Sequence, residues 1–332
     1  NLMREVGGTL GSHYKERAFM GFFEVFMNLF KVMGFIKLAK KDIAQFQPDV
    51  IIFIDNSGFN LRVAKWAKKQ GFTTNYYISP QVWASRAARV KDIKRDIDSM
   101  FVILPFEKEF YKKYNHSVTF VGHPLIDAIE RREKVDEYVF RRKHALTDQP
   151  IIALLPGSRK QEITKMLSVM LSIIEDFSEY QFVVAGAPSQ DISFYQSIIG
   201  NRDVLFINNK TYDLLSISTA ALVASGTATL ETALFKVPQV VCYKGGRISY
   251  QIAKRIITLK FISLVNLIMD KEVVKELIQN DFNKKNLKIE LTKILNTTHR
   301  EKLFSAYLDL EKKLGGKGAS EKVAKQIIAN LK

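Results

Sequence analysis

The sequence predicts an α/β protein made of two doubly wound, Rossmann-like domains. Three observations lead to this prediction: short apolar segments recur along the chain, helical segments join them, and the whole pattern restarts at Ile151. Strands that are apolar throughout, without alternation, are typical of parallel sheets covered by helices on both faces. A chain of 332 residues also exceeds the usual size of a single core, so two domains are expected.

Four strands are predicted in the first domain, which spans residues 1–146. They are Val50–Ile54, Thr73–Ile78, Met100–Leu104 and Val118–Val121. A basic helix, Leu61–Gln70, follows the first strand and stops at Gly71. A charged helix over Leu125–Leu146 is predicted to lead out of the domain.

Five strands are predicted in the second domain, which spans residues 147–314. They are Ile151–Leu155, Gln181–Ala185, Val204–Ile207, Ala221–Ala224 and Gln239–Tyr243, with helices that include Gln161–Phe177 and Thr229–Phe235. After about residue 270 the pattern is helical. The glycine-rich link 315–318 then precedes a last amphipathic helix, Ser320–Leu331, so residues 315–332 form a segment that could pack back on the first domain.

The charge of the chain indicates an anionic partner. Its 50 Lys and Arg residues exceed its 34 Asp and Glu residues by 16, and the segment from Arg62 to Arg95 holds nine basic residues and one acid, Asp92. Nucleic acid, anionic lipid and phosphorylated substrates all fit this excess. The single cysteine, Cys242, excludes a disulfide framework and a cysteine-rich metal site.

The segment Phe19–Lys41 is unusually apolar, but charges interrupt it too often for a membrane span. Its longest uncharged stretch is six residues, whereas a spanning helix needs about 18. Two interpretations remain open: a helix packed on its own sheet, or a partly exposed surface that dips into a membrane beside Lys40 and Lys41. In the second interpretation the membrane-contacting residues are Phe19, Met20, Phe22, Phe23 and Phe26.

Two strand-to-helix turns in the second domain are the strongest indications of function. One is the segment Ile151–Arg159, with Glu162 three residues on, and the other is the segment Ala221–Glu231. Such a turn directs free backbone N–H groups and the positive end of a helix toward one point, which suits a phosphate. Gly157 and Ser158 can wrap a phosphate while Arg159 adds a forked positive charge, or Ser158 simply caps a helix. Two such turns predict one anionic ligand held from two sides, and a nucleotide diphosphate is the natural candidate.

Three further side chains are candidates for binding or chemistry. Glu231 lies one turn into its helix. Its carboxylate can accept hydrogen bonds from ribose hydroxyls, or it only interacts favourably with the positive end of the helix dipole. Asp55 ends a buried strand, where partial desolvation would make its carboxylate a better base; alternatively, Asp55 or Asn56 forms an Asx turn. His123 is a candidate proton carrier, or it satisfies a loop backbone.

The sequence lacks the common signatures of other ligand classes. No dinucleotide fingerprint or P-loop follows a strand, and no metal site or cofactor is predicted. Because ligands of doubly wound sheets bind at the carboxyl ends of the strands, the site is expected in a cleft between the two domains.

Seven segments, in order over nearly the whole chain, resemble the lipid-A-disaccharide synthase family. They are Ile54–Arg62, Tyr77–Ala84, Leu104–Glu107, Val121–Asp127, Leu154–Arg159, Ser225–Glu231 and Ile262–Ile268. The resemblance implies the GT-B glycosyltransferase fold, with two Rossmann-like domains facing across a cleft. It also implies the family's reaction: UDP-2,3-diacylglucosamine and 2,3-diacylglucosamine 1-phosphate (lipid X) give UDP and the β-1,6-linked lipid A disaccharide 1-phosphate.

The resemblance implies roles for individual residues. Asp55 matches the general base that takes the proton of the acceptor's 6-hydroxyl, and Arg159 matches the basic residue near the leaving diphosphate. The positions that match the donor site are Ser225, Gly226, Thr227, Glu231 and Asn266. Gly157, Ser158 and Glu162, at the first turn, are predicted to bind the same substrate. Helix ends and an arginine can stabilise the charge on departing UDP without a metal or cofactor.

The acyl chains of both substrates favour the membrane interpretation of Phe19–Lys41. The resemblance therefore implies a peripheral enzyme of a Gram-negative bacterium, on the cytoplasmic face of the inner membrane. Its first domain would take the acceptor and face the anionic membrane surface, and its second would bind the UDP-sugar. No nucleic-acid partner is expected.

The chain begins just downstream of the place where the family has an N-terminal strand and a Gly-rich turn. Without them we expect exposed sheet edges, low stability and weak or absent activity. A turnover assay with and without a restored N-terminus tests this expectation, and equal rates would refute it. The alternatives are another GT-B enzyme that uses UDP-N-acetylglucosamine (a peptidoglycan glycosyltransferase or a 2-epimerase) and a non-catalytic basic protein that binds membranes.

Overall fold

The computed structural model describes residues 2–11, 29–246 and 259–331, and it contains two compact units. The first unit comprises residues 1–121 together with 320–332, and the second comprises residues 122–319. Both are α/β units with parallel sheets, as the apolar strands predicted. The residues predicted to contact a membrane, Phe19, Met20, Phe22, Phe23 and Phe26, lie outside the described residues.

The first unit is built on a four-stranded parallel sheet in the order β1-β2-β3-β4. Its strands are β1 (Ile51–Ile54), β2 (Thr74–Tyr77), β3 (Ser99–Val102) and β4 (Thr119–Phe120). Its helices are α1 (Leu2–Glu5), α2 (Leu29–Phe46), α3 (Ser57–Lys69), α4 (Val82–Ser85), the 3₁₀ turn Ala87–Arg89, α5 (Val90–Asp96) and α6 (Pro105–Lys112).

The two faces of this sheet are covered to different extents. One face packs against α2, α3 and α5 around the fully buried side chains of Tyr76 and Ile93. The chain's last helix covers part of the other face. On β1, Ile52 and Ile54 remain 46% and 45% exposed. Among the described strands, β1 forms the edge of the sheet and pairs only with β2.

The second unit is built on a six-stranded parallel sheet in the order β10-β9-β8-β5-β6-β7. Its strands are β5 (Ile151–Leu155), β6 (Gln181–Gly186), β7 (Leu205–Asn208), β8 (Ser218–Ala224), β9 (Gln239–Tyr243) and β10 (Lys275–Ile278). Every residue of β5 is buried, because neighbouring strands flank it and helices cover both faces. The chain winds from β5 to β7 in one direction and then resumes with β8 on the other side of β5, so the switch point lies between β5 and β8.

The helices of the second unit surround this sheet. They are α7 (Pro124–Glu130), α8 (Glu137–Lys143), α9 (Lys160–Met170), the 3₁₀ segment Leu171–Phe177, α10 (Ile192–Ile199), α11 (Thr211–Ser216), α12 (Thr227–Leu234), α13 (Leu264–Met269), α14 (Lys284–Leu295) and α15 (Thr297–Lys313).

Two predictions about these elements are wrong. Residues Lys275–Ile278 were expected to be helical, but they form β10, because pairing with the exposed edge of β9 overrides the helix preference of Lys and Glu. The single helix predicted over Leu125–Leu146 is two short helices, α7 and α8, and the side chain of Asp136 starts the second by accepting a hydrogen bond from Val139 N at 3.0 Å.

The contacts divide the chain at residues 121 and 122 instead of 146. The buried Phe140 of α8 belongs to the core of the second unit, so the segment that was assigned to the first domain folds with the second. The last helix, α16 (Ala319–Asn330), belongs to the first unit: Val323 and Ile327 pack against Tyr77 and Phe101.

Candidate functional site

The turn between β5 and α9 is held in a shape that requires glycine. Gly157 has φ of +104°, and a Cβ atom at this position would lie 3.1 Å from Oε2 of Glu162 and 3.6 Å from Cβ of Ala224. The Ser158 carbonyl accepts hydrogen bonds from Ser189 Oγ at 3.2 Å and Gln190 Nε2 at 3.0 Å, which fix the orientation of the turn. Among the described residues, no side chain caps the start of α9, so its first N–H groups are available to a ligand.

Arg159 lies at the start of α9 with its guanidinium exposed. Its Nη1 donates to Oε1 of Glu162 at 2.9 Å. An exposed pair of this kind is worth only about 0.5 kcal/mol, so a phosphate with two negative charges can displace Glu162 from the guanidinium. Glu162, which was predicted to contact the ligand, is placed to orient Arg159 in the absence of one.

The turn between β8 and α12 presents a second uncapped helix start beside the first. Gly226 is in an extended conformation at the N-cap position of α12 and provides no side-chain cap. Ser225 N donates to the Cys242 carbonyl at 3.0 Å, and Thr229 Oγ1 donates to the Gly226 carbonyl at 2.8 Å. Because β5 and β8 are neighbours in the sheet, the turns that follow them lie at the same edge.

A network of hydrogen bonds connects this second turn to the segment 262–276. Ser225 Oγ donates to the Ile262 carbonyl at 2.9 Å, and the carboxylate of Glu276 accepts from the backbone N–H groups of Ile262 and Ser263 at 2.9 Å each. Asn266 is fully buried and donates its amide to the same carboxylate at 2.9 Å.

The remaining amide contacts of Asn266 are also internal. Its Nδ2 donates to the Val274 carbonyl at 2.8 Å, and its Oδ1 accepts from Val273 N and Val274 N at 2.7 and 3.0 Å. The structure therefore places Asn266, a predicted donor-site residue, where its side chain positions the loop that carries Ile262. Sequence reasoning did not identify Glu276, because it belongs to the strand that was predicted as helix.

Glu231 lines a cavity of about 410 Å³ at the same edge of the sheet. The other residues around this cavity are Arg132, Asn209, Lys210, Thr211, Tyr212 and Asp213. The Tyr212 hydroxyl donates to Oε1 of Glu231 at 3.1 Å, and burial raises the pKa of the Glu231 carboxyl above its ordinary value. The segment 209–213 follows β7 at its carboxyl end, and this position was the signal that could have identified it from the sequence.

Asp55 follows β1 in an unusual backbone turn. Asp55 and Asn56 both adopt left-handed conformations, with φ of 47° and 38°, which Asp and Asn tolerate better than most residues. The Asp55 carbonyl accepts hydrogen bonds from Tyr76 OH and from Asn60 Nδ2. Within the described ranges its carboxylate forms no hydrogen bond or ion pair. The side chain is exposed and not partly desolvated as expected, because β1 is an edge strand among the described strands of this sheet.

His123 occupies the N-cap position of α7 and is 5% exposed. Its ring atom Nδ1 accepts a hydrogen bond from Leu125 N at 3.2 Å, and the backbone N–H of His123 donates to the Leu314 carbonyl at 3.0 Å. Burial lowers the pKa of the imidazole to about 4, so His123 is neutral near pH 7. The structure thus places it as a helix cap, the second of the two roles open from the sequence.

We expect His123 to make folding stability depend on pH. Above pH 6.5 the imidazole is neutral in both the folded and the unfolded protein. Between pH 6.5 and 4 only the unfolded protein takes up the proton, so the free energy of unfolding falls as the pH falls. The shift from 6.5 to about 4 corresponds to about 3 kcal/mol. His123→Asn keeps a capping oxygen but does not titrate, so its denaturation midpoint should change less between pH 7 and 4. Equal pH dependence in both proteins would contradict this assignment.

Solved structures with similar folds show the fold class of the chain. The UDP-GlcNAc 2-epimerase of Neisseria meningitidis, solved with UDP-GlcNAc, matches 94% of this chain and 83% of its own with a TM-score of 0.67 at 13% identity. The glycotransferase of kitacinnamycin matches 99% of this chain and 88% of its own with a TM-score of 0.60 at 10% identity. At such low identity these matches show the fold alone, which is the GT-B fold.

Sequence comparisons identify the family of the chain. The family described as lipid-A-disaccharide synthetase matches residues 1–329. The chain is 38% identical over 338 residues to the lipid-A-disaccharide synthase of Syntrophus aciditrophicus and 35% identical over 334 residues to that of Coxiella burnetii, in each case over 99% of this chain and 88% of the relative. The chain belongs to the lipid-A-disaccharide synthase family, and it is a hexosyltransferase of lipid A biosynthesis. The resemblance seen in the seven sequence segments is confirmed.

Proposed function

We propose that this protein transfers the sugar of UDP-2,3-diacylglucosamine to the 6-hydroxyl of lipid X, which releases UDP and the β-1,6-linked disaccharide 1-phosphate. The observation that carries the proposal is the pair of uncapped helix starts at the switch point between β5 and β8. Family membership supports lipid-linked sugars as the substrates.

The proposed donor site lies entirely in the second unit. The diphosphate binds the backbone at Gly157–Ser158 and Gly226–Thr227, where two helix dipoles add their positive ends. Arg159 exchanges its pairing with Glu162 for the phosphate oxygens. The ribose hydroxyls bind Glu231, and the cavity beside it takes the nucleoside.

The proposed chemistry is a displacement at the anomeric carbon. Asp55 removes the proton of the acceptor's 6-hydroxyl, and the oxygen forms its bond to the anomeric carbon as the bond to the diphosphate oxygen breaks. The electron pair of the broken bond goes to UDP, where Arg159 and the helix starts stabilise the negative charge. Asp55 is exposed in the first unit, so on this proposal the bound acceptor provides the desolvation that makes it an effective base.

We also propose that the enzyme works on the anionic cytoplasmic surface of the inner membrane. Among the described residues, no helix is both long and apolar enough to cross a bilayer. On helix α2, Met33 is 53% exposed to solvent and Phe46 is 81% exposed. The same helix also carries the exposed residues Lys31, Lys37 and Lys41. Apolar side chains beside lysines are typical of helices that lie in an anionic interface.

Vesicle sedimentation tests this membrane proposal. The protein should bind vesicles that contain phosphatidylglycerol more strongly than pure phosphatidylcholine vesicles, and 1 M salt should weaken the binding because it screens the lysines. The variant Met33→Ser/Phe46→Ser should bind less at both salt concentrations, since it loses buried apolar area. Equal binding to neutral and anionic vesicles would contradict the proposal.

Product analysis tests the reaction. The protein is incubated with UDP-diacylglucosamine and lipid X, and mass spectrometry should detect both UDP and a tetraacyl disaccharide monophosphate. UDP-N-acetylglucosamine, offered alone or with lipid X, serves as the control for the 2-epimerase and peptidoglycan alternatives and should remain unchanged. UDP released without a disaccharide, or epimerised UDP-sugar, would overturn the proposal.

A further inference from the structure

Tyr212 holds the carboxylate that the proposed function assigns to the ribose. Its hydroxyl donates to Oε1 of Glu231 at 3.1 Å, and both side chains line the 410 Å³ cavity. Within the described ranges, this is the only hydrogen bond to the Glu231 carboxylate, so its second oxygen is available to a ligand. A carboxylate fixed at one oxygen presents the other in a defined direction, whereas an unfixed glutamate samples several rotamers.

The ring of Tyr212 is itself fixed by a chain of contacts. It packs against Phe235 with ring centroids 5.3 Å apart. The guanidinium of Arg132 lies 4.9 Å from the centre of the same Phe235 ring, and Arg132 pairs with Asp213 at 3.3 Å. Asp213 directly follows Tyr212 in the chain, so Phe235 and Arg132 together contact two consecutive residues of α11.

We propose that Tyr212 is a positioning residue that makes the nucleotide site selective for ribose hydroxyls, because it directs the Glu231 carboxylate at them. The inference rests on the proposed UDP site and adds to it the basis for choosing a ribonucleotide. Both side chains are half-buried, and this burial raises the pKa values of Tyr212 and Glu231 above their ordinary values. The loss of a hydrogen bond to a shielded carboxylate lowers the affinity for a nucleotide more than the loss of one to a carboxylate in water.

The test compares two nucleotides that differ only in the groups that Glu231 would bind. UDP and 2′,3′-dideoxyuridine 5′-diphosphate are titrated by calorimetry into the wild-type protein and into Tyr212→Phe, which keeps the ring but removes the hydroxyl. Loss of hydrogen bonds to a charged group predicts that the wild-type protein prefers UDP by roughly 10- to 100-fold. Tyr212→Phe should reduce this preference to about threefold or less, with the affinity for the dideoxy nucleotide unchanged.

Three controls separate positioning from general damage to the fold. Tyr138→Phe makes the same change on α8, away from the cavity lining, and should keep the wild-type preference. In a Glu231→Gln background, Tyr212→Phe should have no further effect, because the two side chains act through one contact. Phe235→Leu loosens the Tyr212 ring while it keeps the hydroxyl, and it should lower the preference in the same way, so the test does not depend on a single variant.

The outcomes distinguish this inference from the proposal on which it rests. If the wild-type protein does not bind UDP, both fail. If it binds UDP and the dideoxy nucleotide equally, or if Tyr212→Phe retains the wild-type preference, only the role of Tyr212 fails. If Tyr212→Phe weakened the binding of UDP and of the dideoxy nucleotide equally, the role of Tyr212 would also be overturned. General damage to the cavity, and not the orientation of Glu231, would then explain the effect.

Discussion

Replacing Asp55 with Asn is expected to lower turnover by a factor of about 10² to 10⁴, the usual contribution of a general base. Asparagine keeps the size and the hydrogen-bonding oxygen, and both residue types tolerate the left-handed backbone at φ of 47°. The fold of the turn should therefore survive while its ability to take a proton is lost. The affinity for UDP should not change, since the proposal places UDP in the second unit.

The chain offers a matched control on the same strand. Asp49 is exposed and lies just before β1, at the opposite end from Asp55. Asp49→Asn removes the same charge from the same unit and should retain wild-type turnover. If Asp55→Asn retains turnover within a factor of about three, far less than a general base contributes, or if Asp49→Asn lowers it equally, Asp55 is not the base.

Replacing Arg159 with Ala is expected to lower kcat by a factor of about 10² to 10³, as the loss of one fixed donor to a developing charge does in other enzymes. Arg159→Lys should recover part of this loss, because it restores the charge but not the forked geometry. Single-turnover rates measured at saturating donor separate this effect from weaker binding.

Two further variants make the Arg159 result specific. Lys160→Ala removes one positive charge from the next residue, whose Nζ lies 5.6 Å from the centre of the Phe194 ring, and it should change the rate little. Glu162→Gln releases Arg159 from its ion pair at 2.9 Å and should strengthen UDP binding slightly. If Lys160→Ala is as slow as Arg159→Ala, the effect is one of overall charge and not of a contact with the leaving group.

Sequence patterns were sufficient to predict the elements that carry the paired turns. β5 is apolar at every position and was predicted with its observed bounds, and the helix predicted after the Pro-Gly-Ser-Arg turn begins at Lys160, one residue before its predicted start. β8 was predicted from its last four residues, Ala221–Ala224, and the structure extends it back to Ser218. These features depend on local hydrophobicity and turn chemistry, which a sequence displays directly.

The features that sequence reasoning missed depend on contacts between distant segments. β10 is a strand because β9 offers it an edge, although Lys275 and Glu276 favour helix. The role of Asn266 depends on Val274 and Glu276 of that unrecognised region. Tyr212 was overlooked because its partner, Glu231, is 19 residues away, and no local pattern shows that their side chains meet.

The solvent exposure of Asp55 is a further feature that the apolar pattern did not predict. Its place after an apolar strand was visible, but its exposure depends on which strands flank β1 in the sheet. A continuous apolar run is typical of an interior strand, but among the described strands β1 lies at an edge, and Ile52 and Ile54 are partly exposed on one face. The apolar pattern therefore predicted the strand correctly but not the solvation of the residue that follows it.

The most direct test of the account is a crystal structure of this protein with UDP. We expect the diphosphate to accept hydrogen bonds from the backbone at the starts of α9 and α12, beside Arg159, with the ribose hydroxyls on Glu231. Electron density for the nucleotide at any other place on the second unit, or on the first unit, would contradict the central claim that the two turns at the β5–β8 switch point form the donor site.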